Sequence, residues 1–299
     1  GGVGGAKLVA GLMEALDPAE LTAVVNTGDD FVHLGLAVSP DIDTLLYTLS
    51  GRANAEQGWG RAGETWSFMA VLRELGGPDW FALGDGDLAL HVLRTAARAA
   101  GEPLSAITAR HAAAWGLGLA VLPMSDDPVA TMLATDVGEL AFQDYFVARR
   151  CAPAVSAIRF AGAERASPGP GVLAAIASAR AILIAPSNPF LSIAPILAVP
   201  GIAAALRAAP APVVAVSPLV GGTAVKGPTA KLMQELGLPL DAATIARWYG
   251  DLLDGMLVDE RDPPGDPGIA ADRADTLMRD AGDRLRVARA ALALADRLR

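Results

Sequence analysis

Residues 21–26 (LTAVVN), 182–185 (ILIA) and 213–216 (VVAV) are short, unbroken apolar runs, and each stops at a turn of Asn, Ser, Pro or Gly. Alanine- and leucine-rich stretches of helical character separate them, beginning with residues 7–16. A strand that is apolar on both faces must be covered on both, as in a parallel sheet flanked by helices. The pattern therefore predicts an α/β fold built on a mainly parallel sheet. Ligands of such sheets bind beyond the carboxyl ends of the strands, so the turns at 26–30, 186–189 and 217–222 are expected to share one rim.

With 299 residues, 52% hydrophobic and 19% charged, the chain can bury one large core. We read a single α/β domain over 1–299 with a mostly helical insertion, or cap, at about 41–148. Residues 45–49, 67–75 and 88–100 are its helices, and 118–122 and 140–142 are strand-like. The stretch 259–275, rich in Asp, Pro, Gly and Arg, reads as a mobile surface loop. Residues 279–299 read as a helix whose buried side is Leu285, Val287, Leu292 and Leu298. A formal net charge of −9 argues against a nucleic-acid partner, which would call for a basic face. Cys151 is the only cysteine, which excludes an internal disulfide and a thiolate zinc cluster. No signal peptide or membrane span is legible, since Pro200 and Pro218 break the longest apolar runs, and a cytoplasmic location is expected.

The site signal begins with Gly1-Gly2-Val3-Gly4-Gly5-Ala6-Lys7. A bare glycine loop lets backbone N–H groups approach a phosphate, and the following helix adds its positive end. It equally reads as a tight turn packing helix on sheet, and Lys7 as a solvated lysine. Such a loop normally follows a strand, so a short apolar strand upstream of Gly1 is expected to order it. Two acidic pairs follow: Asp29-Asp30 after Gly28, and Asp41 and Asp43 after Pro40. One pair alone would read as caps and turns. Two pairs beside a glycine loop favour a hard divalent cation, such as Mg²⁺, shared with phosphate oxygens.

Other motifs are double-edged. Asp87 and His91 are four residues apart and share a helix face, while Asp85 and Asp87 equally serve as caps. Asp126 and Asp127 contact substrate or cap a turn. Ser187-Asn188-Pro189, at a strand's carboxyl end, can hydrogen-bond a nucleotide or form an Asx turn. Trp59 and Trp66 can stack on a flat heterocycle or lie in the core.

In order along the chain stand GGVGGAKL, NTGDD, SPDIDT, WG-x-x-x-ETW, LGDGD, LPMSDDPV, FQDYFV, APSNPFLSI, SPLVGG and VDERD. This set resembles the 2-phospho-L-lactate transferase (CofD) family of deazaflavin coenzyme F(420) biosynthesis. The resemblance implies a Rossmann-like core with a helical insertion and a cytoplasmic homodimer. It also implies a Mg²⁺-dependent transfer of a three-carbon phospho-acid from a guanosine diphospho-linked donor to the precursor Fo, with GMP released. The acid can be 2-phospholactyl, phosphoenolpyruvyl or 3-phosphoglyceryl.

On this resemblance, Asp29 and Asp43 are the metal ligands, and Asp30 or Asp41 orients or deprotonates the attacking hydroxyl. Gly1, Gly2, Val3, Gly4, Gly5 and Lys7 hold phosphate, with Ser187 and Asn188 placing the nucleotide. Asp43, Trp59, Asp87 and His91 bind Fo. The chain departs from the family at Gly86 and at Ala82, where basic residues are usual, and at Leu90, usually Thr. Arg94 or Lys226 is the expected substitute for the missing cations. Two rivals stand beside this reading: a UDP-sugar-binding regulatory protein of related fold, and a nicotinamide-dependent oxidoreductase. The second lacks the G-x-G-x-x-G spacing.

Overall fold

The computed structural model describes residues 1–225 and 227–299. It opens with α1 (Gly2–Ala15), β1 (Thr22–Val25) and a hairpin of β2 (Phe31–His33) and β3 (Leu36–Val38). Four helices follow: α2 (Pro40–Leu49), α3 (Ser67–Glu74), α4 (Asp87–Ala99) and α5 (Leu104–Ala114). After β4 (Ala120–Pro123), strands β5 (Ala130–Thr135), β6 (Gly138–Ala141) and β7 (Val155–Ala161) form an antiparallel sheet. Helix α6 (Val172–Ser178) leads to β8 (Ile182–Ile184), and α7 (Ala194–Ala198) and α8 (Ile202–Ala208) lead to β9 (Val213–Val216). A small hairpin, β10 (Leu219–Val220) and β11 (Thr223–Ala224), precedes α9 (Thr229–Glu235) and α10 (Ala242–Tyr249). The last elements are β12 (Gly255–Asp259), β13 (Ala270–Ala274) and α11 (Ala281–Leu298).

The expected parallel strands are present in two arrays. β1 pairs with β4, while β13, β12, β9 and β8 lie side by side in that order. β9 explains its own sequence. Val214 packs against Leu294 and Ala295 of α11, and Val213 and Ala215 belong to the cluster on the opposite face. Around β1 and β4, residues Val25 and Val121 pack with Ile42, Leu46 and Leu104 of α2 and α5.

Three readings change. Gly2 to Gly5 are not a loop but the first turn of α1. Glycine is a poor helix former, so packing must hold this turn. A Cβ on Gly4 would strike the carbonyl of Pro186, and one on Gly11 that of Arg284. Stretch 259–275 is not simply a mobile loop, because Asp259 is buried and β13 adds an edge strand to the sheet. The seam of α11 is Val287, Ala288, Ala291, Leu294 and Ala295, while Leu285, Leu292 and Leu298 are only half-buried. Within 41–148 the two strand-like segments read from the sequence are present as β4 and β6, with β5 between them. No single helix among the described residues is long and apolar enough to cross a membrane.

Candidate active site

The three polar turns meet, as expected, on one rim. They border a cleft of about 760 Å³ between the carboxyl ends of β1, β8 and β9 and the cap formed by α2, α4 and the 57–60 and 80–82 segments. Gly1, Gly2, Val3 and Gly4 bring the positive end of α1 to the cleft wall. Gly2 takes the left-handed φ of +63° that a side chain would resist, and its N–H donates to Asp41 Oδ1 at 2.6 Å. Gly5 stands outside the cleft, packed against Ser187 and Ala185. Its role is close approach of helix to turn.

The four acids separate into distinct environments. Asp29 and Asp41 are nearly buried and line the cleft. Asn26 ties the two motifs together, donating from Nδ2 to Asp41 Oδ2 at 3.0 Å and accepting from Gly28 N at 2.8 Å. Burial first, and the Asp41 charge second, hold the Asp29 carboxyl well above the usual range. Unlike Asp43, neither acid is forked by an arginine among the described residues; their polar contacts include the amides of Asn26 and Gly2 and the hydroxyl of Thr131. Asp30 lies behind the wall, where burial pushes its carboxyl up to about 8 despite a 2.6 Å hydrogen bond from Ser39 Oγ. Asp43 is already compensated: the guanidinium of Arg94, 1% exposed, forks both its oxygens.

This sorting bears on the metal. Desolvated carboxylates that line a cleft and are not forked by an arginine fit a hard divalent cation, and among the described residues Asp29 and Asp41 have that character. Asp43, expected to be a ligand, has its charge met by Arg94. Among the described residues no three His, Cys, Asp or Glu side chains converge as a self-sufficient metal cage. Two carboxylates with substrate phosphates completing the shell is the usual arrangement for magnesium.

Asp87 and His91 do share a face of α4, and both line the cleft. His91 Nε2 lies 3.1 Å from Asp87 Oδ2, and Tyr47 donates its hydroxyl to Asp87 Oδ1. Burial works to raise Asp87, but its contacts with His91 and Tyr47 outweigh burial and hold it below the usual carboxylate range. Asp85 is a cap, accepting from Ser67 N and Phe68 N at the start of α3. Asp126 and Asp127 are structural too, accepting from Ser105 N and Ser167 N. Arg94 cannot replace the family's missing basic side chains at the substrate, because it is buried against Asp43. Lys226 lies outside the described residues. At Gly86 the vacated side-chain space holds the guanidinium of Arg61, itself paired with Glu64 at 3.1 Å.

Ser187 and Asn188 both line the cleft. Ser187 Oγ donates to Gly1 O at 2.6 Å, fastening the turn to α1. Asn188 Oδ1 caps a turn of π-helix over Pro189–Ile193, accepting from Phe190 N and Leu191 N. Its Nδ2 is buried without a partner. An orphan donor on a cleft-lining residue calls for an acceptor, which a ligand can supply. Lys7 donates to Met278 O at 2.5 Å and borders the same wall. Trp59 is at the mouth, 52% exposed, with Trp80 and Phe81 nearby on the lining. Across the cleft Phe142 and Phe146 stack at 5.2 Å. Trp66 is not on the lining. It holds the residue position before α3.

Several functional groups escape a reading of the sequence. Phe142, Phe146 and Gln143 line the cleft, and their only signal was the FQDYFV motif. Asn26 was visible only as part of NTGDD, and Tyr47 and Trp80 carried no signal.

A family model described as 2-phospho-L-lactate transferase CofD matches residues 1–290. A phosphoenolpyruvate transferase of Kitasatospora aureofaciens is 47% identical, with 100% of this chain and 97% of that protein covered. Another, from Streptomyces griseus, is 46% identical over 100% and 98%. Among solved structures, a UPF0052-family protein of Bacillus halodurans superposes with a TM-score of 0.61 at 16% identity, over 96% of this chain and 95% of that one. Identity that low speaks for the fold alone.

Proposed function

The chain belongs to the 2-phospho-L-lactate transferase (CofD) family, making it a transferase of coenzyme F(420) biosynthesis, and from that premise we propose that it transfers a phosphoenolpyruvyl group to Fo. The donor is guanosine diphospho-linked, and GMP leaves. The names of its relatives favour the enolpyruvyl acid over phospholactyl and 3-phosphoglyceryl. The observation that carries the reading is the meeting of Asp29 and Asp41, neither forked by an arginine among the described residues, with the positive end of α1 in one cleft. That is a setting for a diphosphate and its cation.

In this reading the terminal ribityl hydroxyl of Fo attacks the phosphorus that bears the acid. The hydroxyl proton passes to solvent, the bond from that phosphorus to the bridging oxygen breaks, and the oxygen departs with GMP. Such transfer leaves the protein mainly positioning and charge compensation. Asp29 and Asp41 are the residues that would hold magnesium, which supplies neutralisation of diphosphate charge when bound. Asn188 Nδ2 donates to the nucleotide. Trp59 and the Phe142–Phe146 pair offer flat faces for the deazaflavin ring, with Asp87 and His91 at its polar edge.

The test supplies purified protein with Fo, Mg²⁺ and each of the three guanosine diphospho-linked acids, and weighs the products by mass spectrometry. Dehydro-product from the enolpyruvyl donor is expected to dominate. A preference for either other acid would overturn the donor assignment. No product from any of the three, with thermal stabilisation by a UDP-sugar, would favour the regulatory reading instead.

A further inference from the structure

Arg94 is the largest side chain among those fully buried, and nothing in the reaction uses it directly. Removing an arginine from water is expensive unless every donor is matched. Here the matches come from three segments. The guanidinium forks both oxygens of Asp43, in the first turn of α2, with Nη1 to Oδ2 at 3.1 Å. Nη1 also donates to the carbonyl of Ala37 on β3 at 3.3 Å. It approaches His91 Nδ1 at 3.3 Å. The next residue completes the grip: Thr95 Oγ1 accepts from Ala37 N at 2.7 Å and donates to His91 O at 2.6 Å.

Ala37 and Asp43 bracket Asp41. Between them the chain turns from β3 into α2 through Ser39 and Pro40. One guanidinium therefore ties down both sides of the segment that projects Asp41 into the cleft. We infer that Arg94 is a positioning residue, acting through Asp43 and Ala37 to set where Asp41 stands, and through His91 to set that ring's tautomer. A guanidinium has no acceptor, so its approach to His91 Nδ1, shared with the bonds Nη1 makes to Asp43 and Ala37, is favourable only with that nitrogen unprotonated, which leaves the ring proton for Nε2, 3.1 Å from Asp87 Oδ2. Lysine cannot repeat this, because a point charge cannot fork a carboxylate and reach a carbonyl at once.

The inference rests on the assignment of Asp41 to the reacting end of the cleft, so Asp41→Asn is measured alongside. Arg94→Lys is expected to lower kcat by about 100-fold, the effect of an ångström-scale misplacement. KM for the guanosine diphospho-linked donor should stay within about threefold, because Ser187 and Asn188 are untouched. With three histidines in the chain, ¹⁵N spectra resolve the His91 ring, and its Nε2–H signature should be lost in Arg94→Lys. A purely structural role would lower thermal stability and leave kcat and that signature in place, which would overturn the inference. Should Arg94→Lys not fold, Thr95→Val tests the same grip, with a fall in kcat of about tenfold expected and full kcat overturning it. If Asp41→Asn is itself fully active, the site assignment fails. If only Asp41→Asn is impaired, the fault lies with Arg94.

Discussion

Two regions of this protein are built from the same acid in opposite ways. Around the carboxyl end of β12, Asp259, Asp275 and Asp283 are laced to Arg261, Arg279 and Arg286. Asp259 also accepts from Thr276 N at 2.8 Å. Burial works to raise Asp259, but the Arg261 and Thr276 hydrogen bonds hold it far below the usual carboxylate range, and Arg279 and Arg286 do the same for Asp283. In the cleft, Asp29 and Asp41 have no arginine partner among the described residues, and burial with the Asp41 charge raises Asp29. The difference teaches where binding capacity lies. The first region spends its charge on holding residues 275–278, which form one cleft wall at Thr276, Leu277 and Met278. The second leaves carboxyl oxygens on the cleft lining for a cation that arrives with a ligand to meet.

The sharpest way to break this comparison is to remove one acid from each region. Asp41→Asn is expected to lower kcat on the order of 10²–10³-fold, with little change in thermal stability, because relief of the like-charge contact with Asp29 offsets the amide nitrogen that must face Gly2 N or Asn26 Nδ2. Steady-state kinetics beside a melting curve decides it, and a destabilised Asp41→Asn would show that this acid is structural after all. Asp259→Asn should do the reverse, losing about 2 kcal/mol of stability through weakened charge-assisted hydrogen bonds. Urea titration measures that loss, with kcat largely retained in the folded fraction.

The pH dependence of stability sharpens the contrast. Asp30 rises from 3.8 to about 8 on folding, so the folded state takes up its proton. Its stabilising contribution is complete below about pH 4 and is lost as pH climbs through about 8. Asp259 and Asp283 are depressed, so their contribution is present above about pH 4 and is lost in acid. Asp30→Asn should flatten the neutral-side slope of a denaturation-versus-pH profile and leave the acid limb unchanged. A slope that persists would locate the titrating group elsewhere.

The smallest expected effect concerns Asn188. Asn188→Ser retains an oxygen able to cap the Pro189–Ile193 turn but cannot extend a donor into the cleft. GDP binding should weaken by about 0.5–1.5 kcal/mol, with Fo affinity unchanged. Calorimetry with each ligand separately makes the comparison, and equal losses would assign Asn188 to pocket shape.

Much of this was legible in the sequence for a physical reason. β1, β8 and β9 are apolar on both faces, so their runs announce themselves, and the turns that end them fall on one rim. β13 did not, because an edge strand reading AADRA needs no apolar run. The glycine helix was illegible for the opposite reason. Its local preference points to a loop, and only the nearness of Pro186 and Arg284 makes it helical. Asp29, Asp41, Asp87, His91, Ser187 and Asn188 could be singled out by spacing. The distinction between Asp41 and Asp43 could not, since it depends on an arginine fifty-one residues beyond Asp43.

The contact of Gly11 with α11 has a consequence at the other end of α1. From Gly2 to Gly11 the helix runs about 14 Å, at 1.5 Å per residue. It behaves as a rigid lever whose fulcrum is the carbonyl of Arg284. A methyl group added at Gly11 would tilt the far end, moving the N–H that meets Asp41 without touching a cleft residue. The catalytic geometry is therefore open to tuning from the back of the molecule, by sequence changes in α11 that no inspection of the cleft would single out.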